Sequence, residues 1–139
     1  MFNKIFSVLL IVIILATAGI IIWFAILPND VDNFTEFYML GTDGKAQDYP
    51  QVMTMGENIS VILGIVNKEN RDVNYRIHIK QGDVYADDIK PGLLANGQKW
   101  EQQINLVMAA YGEEKVEFWL YKDESSEPKL SLNLKVWVK

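Results

Sequence analysis

VNYRIHIK, residues Val73 to Lys80, decides the fold. Val73, Tyr75, Ile77 and Ile79 alternate with Asn74, Arg76, His78 and Lys80, and a period of two gives an extended strand one apolar face and one wetted face. The same period recurs downstream. Lys99 to Met108 carries Trp100, Ile104, Leu106 and Met108 in one phase. Lys115 to Lys122 turns Val116, Phe118 and Leu120 inward, and Leu130 to Val138 does so with Leu130, Leu132, Leu134, Val136 and Val138. The short polar loop Asp123 to Lys129 between these two strands predicts an antiparallel hairpin. Upstream, Asn58 to Asn67 (NISVILGIVN) is apolar at nearly every position, which suits a strand covered on both sides. Gln51 to Met55 and the aromatic Phe34 to Leu40 complete the strand set.

Turn chemistry punctuates these runs at Asp43-Gly44, Gly56-Glu57, Lys68 to Asp72 and Tyr111 to Glu114. Gly82 to Gly97 is the least regular part, because Pro91, Gly92 and Gly97 interrupt it; one short strand is expected there, at Val84 to Ile89. No helical period occurs after residue 33. The expected fold is therefore all-β, an immunoglobulin-like antiparallel β-sandwich of seven to eight strands over residues 34–139, preceded by one N-terminal transmembrane helix.

That helix is Ile5 to Leu27, twenty-three residues without charge or proline. At about 1.5 Å per residue it reaches roughly 34 Å, enough for a hydrocarbon layer of about 30 Å. Sixteen of its residues are Ile, Leu, Val or Phe, worth roughly 5 to 10 kcal/mol for insertion. Ser7 and Thr17 can return their hydroxyls to the helix backbone. Ala16-Thr17-Ala18 imitates a signal-peptide cleavage site, but Gly19 to Leu27 is as apolar as what precedes it, which favours an uncleaved anchor over residues 1–27. Ala16, Ala18 and Gly19 are the small residues on which a second helix can close. A filament subunit of pilin-like or archaellin-like type, with the helix in the filament core, is the alternative; Lys4 followed by Ile5 departs from the processing site such subunits carry.

Pro28 to Asn33 forms a short tether, at most about 20 Å when extended. All 18 acidic residues and all but Lys4 of the 13 basic residues follow the helix, leaving the remainder at net −6 (12 against 18). By the positive-inside rule Lys4 places the N-terminus in the cytoplasm and the C-terminal domain outside. The acidic balance disfavours nucleic acid, which needs clustered basic residues. The absence of cysteine excludes disulfides, thiol catalysis and thiolate metal sites.

Four blocks taken in order, FTEFYMLGTDGKAQDYP (Phe34 to Pro50), GIVNKE (Gly64 to Glu69), KVEFWLYK (Lys115 to Lys122) and SLNLKVWV (Ser131 to Val138), resemble domain of unknown function 1616, a family of largely archaeal membrane proteins. The resemblance implies an envelope protein without an assigned activity. Family members often carry several membrane helices ahead of the domain, whereas this chain has one, so a role lodged in such helices is absent or supplied by a partner.

Catalytic chemistry is scarcely advertised. The one histidine, His78, lies on a polar strand phase beside Arg76 and Lys80, where a surface residue is the plain reading. Asp83, Asp87 and Asp88 offer oxygen ligands to calcium, yet their spacing fits no EF-hand and a solvated acidic loop explains them. No catalytic residue, cofactor or metal site is expected. Trp119, Tyr121 and Trp137 fall opposite the inward phase and mark a candidate patch for a membrane or envelope protein partner or for carbohydrate, with cross-strand stacking as the plainer account. Asn33-Phe34-Thr35 and Asn58-Ile59-Ser60 are glycosylation sequons, of which Asn58 is better placed.

Overall fold

The computed structural model describes residues 2–26, 33–46 and 49–139. Two compact units result, one N-terminal and one from Asn33 to Lys139. In the first, helix α1 runs from Phe2 to Ile26. The hydroxyl of Ser7 donates to Asn3 O (2.7 Å), and that of Thr17 to Ile13 O (3.0 Å) and Ile14 O (2.9 Å), so both polar side chains are absorbed by the helix itself. Leu27 and residues 28–32 of the tether lie outside the described residues.

In the second unit eight strands form two sheets: β1 (Phe34–Gly41), β2 (Val52–Met53), β3 (Asn58–Lys68), β4 (Val73–Gln81), β5 (Val84–Leu94), β6 (Lys99–Val107), β7 (Gly112–Lys122) and β8 (Leu130–Val138). One sheet has the order β1-β3-β6 and the other β2-β8-β7-β4-β5. All pairings are antiparallel except β2 with β8, where Val52 meets Trp137 and Met53 meets Val138 in parallel. That exception departs from the all-antiparallel expectation. It arises because the chain leaves the three-stranded sheet after β1 and joins the edge of the other.

The inward phase of VNYRIHIK is the centre of the core: Val73, Ile77 and Ile79 are buried, and Tyr75 with them. On β7 Leu120 stands beside Ile77 and Phe118 beside Ile79, and Val116, opposite Gln81, continues the same buried phase. Val61, Leu63 and Ile65 close the core from the other sheet. Strand β3 is the middle strand of its sheet, and its second face is half-covered rather than open, which is why its sequence reads as uniformly apolar.

Four local expectations need correction. Strand β5 continues to Leu94, through Pro91 and Gly92. An edge strand tolerates a residue without an N–H on its open side, and Lys90 and Pro91 together oppose Arg76 in a bulge that ends at Gly92, whose φ of 84° suits glycine. Leu130 is 39% exposed, because it lies at the open beginning of β8. Strand β6 ends at Val107, although Met108 remains buried. Tyr111 to Glu114 is not wholly a turn: β7 begins at Gly112, and Glu114 falls in the buried phase at 6% exposure.

Candidate functional sites on the sandwich

The outer face of the five-stranded sheet carries the largest grouping of chemically useful side chains. Register places His78 between Trp119 on β7 and Asp88 on β5, and Arg76 opposite Tyr121. His78 Nδ1 stands 2.9 Å from Asp88 Oδ1. Its ring lies 4.6 Å from that of Tyr85, 6.3 Å from Trp119 and 6.4 Å from Tyr121, the last edge-on. The Arg76 guanidinium covers Tyr121 at 4.8 Å from the ring centroid, a cation–π contact. Desolvation, then the hydrogen bond and charge of Asp88 and the charge of Asp87, hold the Tyr85 phenol above its ordinary 10.0. The cluster is thus largely satisfied internally, each ring resting on a neighbour.

Trp137 does not join it. Its partner on β7 is Glu113, whereas Trp119 faces Ser131, six residues earlier on β8, a separation of about 20 Å along the strand. The three-residue patch expected from the sequence therefore divides: Trp119 and Tyr121 belong to the His78 cluster, and Trp137 is exposed alone at the other end of the sheet. Asp83, Asp87 and Asp88 are not assembled into a cation site either; among the described residues no group of three or more His, Asp or Glu side chains is placed to hold a metal ion.

At the leading end of the sandwich, where the chain enters at Phe34, a polar network replaces apolar packing. Tyr75 Oη and Thr35 Oγ1 are 2.8 Å apart, Thr35 Oγ1 donates to Glu69 Oε1 (2.7 Å), and Lys122 Nζ pairs with the same carboxylate. Burial pushes Glu69 upward, but Lys122 and Thr35, followed by the charges of Lys122 and Arg71, outweigh it and hold the carboxyl below its ordinary 4.5. A carboxylate with a depressed folded value adds stability above its unfolded value and loses it as pH falls through the folded one. Acid titration of the full chain in detergent should accordingly show stability declining below about pH 4.5, and Glu69→Gln should flatten that decline while lowering stability at pH 7; an unchanged acid limb in the variant would exclude Glu69 as its source.

The same network bears on the sequons. Thr35, the hydroxyl residue of the Asn33 sequon, is buried and shared by Tyr75 and Glu69, and Asn33 Oδ1 accepts from Asn70 Nδ2 at 2.6 Å. Asn58 is exposed at the start of β3 opposite Val107, and Ser60 Oγ donates to Asn105 Oδ1 (2.6 Å). On α1, Ala16 and Gly19 are three residues apart and share a face, while Ala18 lies about 200° round from Ala16.

Sequence reasoning missed one candidate, Glu114. It was legible as a carboxylate in phase with Val116, Phe118 and Leu120. Gln81 Nε2 bridges Glu114 Oε1 and Val107 O (2.8 Å to the latter), while Glu114 Oε2 is buried with no hydrogen-bond partner among the described residues.

A family model described as Domain of unknown function (DUF1616) matches residues 28–139. The chain belongs to this family. No curated protein matches the DUF1616 chain by sequence. Among solved structures, its sandwich is similar to the CARDB domain of the PF1109 protein from Pyrococcus furiosus in complex with di-metal ions, with 11% identity and a TM-score of 0.58 over 77% of this chain and 89% of that one. The solution structure of that CARDB domain gives 10% identity and a TM-score of 0.56, covering 76% of this chain and 96% of that one. A β-glucosidase from Listeria innocua in complex with glucose gives 16% identity and a TM-score of 0.52, over 76% of this chain but 16% of the enzyme. At these identities the likeness is one of fold, an immunoglobulin-like sandwich.

Proposed function

We propose that this DUF1616 protein is a single-pass membrane protein that displays a non-catalytic β-sandwich outside the cytoplasm, as an interaction or structural module of the cell envelope. The observation that carries the reading is the pairing of α1 with the sandwich in one chain. Asn3–Ile26 is long and apolar enough to cross a bilayer, and its large side chains are exposed, an arrangement that lipid satisfies and water does not. The charge distribution supports an N-terminus in the cytoplasm. A non-catalytic role is supported by where the polar groups lie: the space between the sheets is filled by one apolar cluster, and the polar side chains sit on outer faces and ends. A membrane or envelope protein partner, and not nucleic acid, suits the acidic surface of the domain.

The test is fractionation of cells expressing the full chain. It should remain in the membrane pellet after alkaline carbonate extraction, and protease added to intact cells or spheroplasts should remove the sandwich while sparing an α1 fragment. Release by carbonate, or protection of the domain from external protease, contradicts the reading. Fibres containing the chain in native membrane preparations would move the assignment to the filament subunit.

A further inference from the structure

We propose that the far end of the sandwich holds a binding site for a primary alkylammonium group, with Glu114 as its principal anion. A cavity of about 490 Å³ opens there between the β4–β5 turn and the segment that leads into β7. Three of its lining residues are carboxylates, Asp83, Glu113 and Glu114, and none is a lysine or arginine. Glu113 meets Lys135 at 3.9 Å, across two exposed side chains. Acidic residues alone would be an ordinary solvated end. What distinguishes this one is Glu114, 6% exposed, with Oε2 buried and unpartnered. A buried carboxylate oxygen without a partner costs about 1 to 3 kcal/mol or more, so it calls for a hydrogen-bond donor, which an ammonium group in the cavity supplies.

The chemistry of the walls selects the cation. Val84, Ala109 and Ala110 line the cavity beside the acids, which suits an alkyl stem carrying a charged head. A divalent metal is poorly served, because it needs several oxygen ligands converging and the described residues offer no group of three side chains that could hold one. A guanidinium is also poorly served. It prefers both oxygens of a carboxylate, and Glu114 Oε1 is already taken by Gln81, leaving one oxygen for a compact point charge. The chemistry is that of a lysine side chain or a free diamine.

Thermal unfolding of the full chain in detergent, at constant ionic strength, provides the test. n-Butylamine should raise Tm saturably by roughly 4 °C or more, with n-butylguanidine and calcium chloride each giving a smaller shift. Glu114→Gln should abolish the amine shift, and Asp83→Asn, an exposed change, should weaken the apparent affinity about three- to tenfold, or roughly 0.7–1.4 kcal/mol. Tighter binding of acetyl-Gly-Lys-Gly-amide than of cadaverine identifies a lysine side chain as the source, and the reverse order identifies a free diamine; either supports the site. No saturable amine shift, a larger shift with guanidinium or calcium, or a shift that survives Glu114→Gln overturns it. Should Glu114→Gln fail to fold, an unchanged affinity in Asp83→Asn overturns it instead.

Discussion

Asn67→Ala is expected to destabilise the sandwich by roughly 3 to 5 kcal/mol, a large share of the about 5 to 15 kcal/mol that holds a domain of this size together. Asn67 is the penultimate residue of β3 and has no exposed surface. Its Nδ2 donates to Arg71 O (2.7 Å) and Leu94 O (2.8 Å), and its Oδ1 accepts from Glu69 N (2.9 Å). One side chain therefore closes the β3–β4 turn and fastens the end of β5, which belongs to the other sheet. Alanine leaves two carbonyls and one N–H unpaired, and leucine would leave the same groups buried under an apolar side chain, so the loss does not depend on cavity volume. Asp fares no better, since it presents a second acceptor to two carbonyls. Denaturant unfolding should show the midpoint falling with an unchanged slope. A loss under about 1 kcal/mol would mean that water replaces all three bonds.

Gly64→Val is expected to cost about 2 to 3 kcal/mol alone, and to be rescued when Tyr38 is truncated. Gly64 does not need glycine for its backbone angles; it needs the space. A Cβ added there would stand 2.1 Å from Tyr38 Cζ and 2.2 Å from Cε2, because Tyr38 lies directly opposite on β1 and its ring crosses β3. The ring then reaches Glu101 on β6, opposite Gly64 on the other side, and Tyr38 Oη donates to Glu101 Oε1 at 2.6 Å. That bond, with Lys99 next to it, holds the Glu101 carboxyl below its ordinary range. One tyrosine thus spans all three strands of the smaller sheet, over a glycine that has no side chain of its own to cover. In the double variant Tyr38→Ala/Gly64→Val, the valine takes the vacated space and brings β propensity with it. The two substitutions should be non-additive by at least about 1 kcal/mol. Additive losses would show that the ring moves aside freely and that the glycine has no such role.

Much of the architecture was legible. Strict alternation in Val73–Ile79 and Val116–Leu120 named core residues correctly, because a pleated strand leaves each side chain only two directions. The blocks that carry the family resemblance turn out to hold these structural devices: GIVNKE contains Gly64, Asn67 and Glu69, and FTEFYMLG contains Thr35 and Tyr38. Their roles were hidden, however, because each depends on a partner far away in the chain. Asn67 read only as the last residue of an apolar strand, and its role depends on Leu94, which tertiary structure brings beside it. Pro91 and Gly92 read as the end of order because local propensity penalises them, while an edge strand asks for hydrogen bonds on one side only. Glu113-Glu114 read as a turn since the pair follows a glycine, and the group that engages Glu114, the amide of Gln81, lies 33 residues earlier.

By itself, then, the sequence determined the apolar helix, the strands and the faces they present, and the acidic character of the domain, all of which follow from period and composition along a single segment. Tertiary structure alone decided register, and with it every candidate site. It set Trp119 beside His78 and sent Trp137 six residues away on the same face; it laid Tyr38 over Gly64, and it buried one oxygen of Glu114 without a partner. The reason is physical: alternation fixes which side of a sheet a residue occupies, whereas its neighbours there are chosen by the pairing of strands distant in sequence.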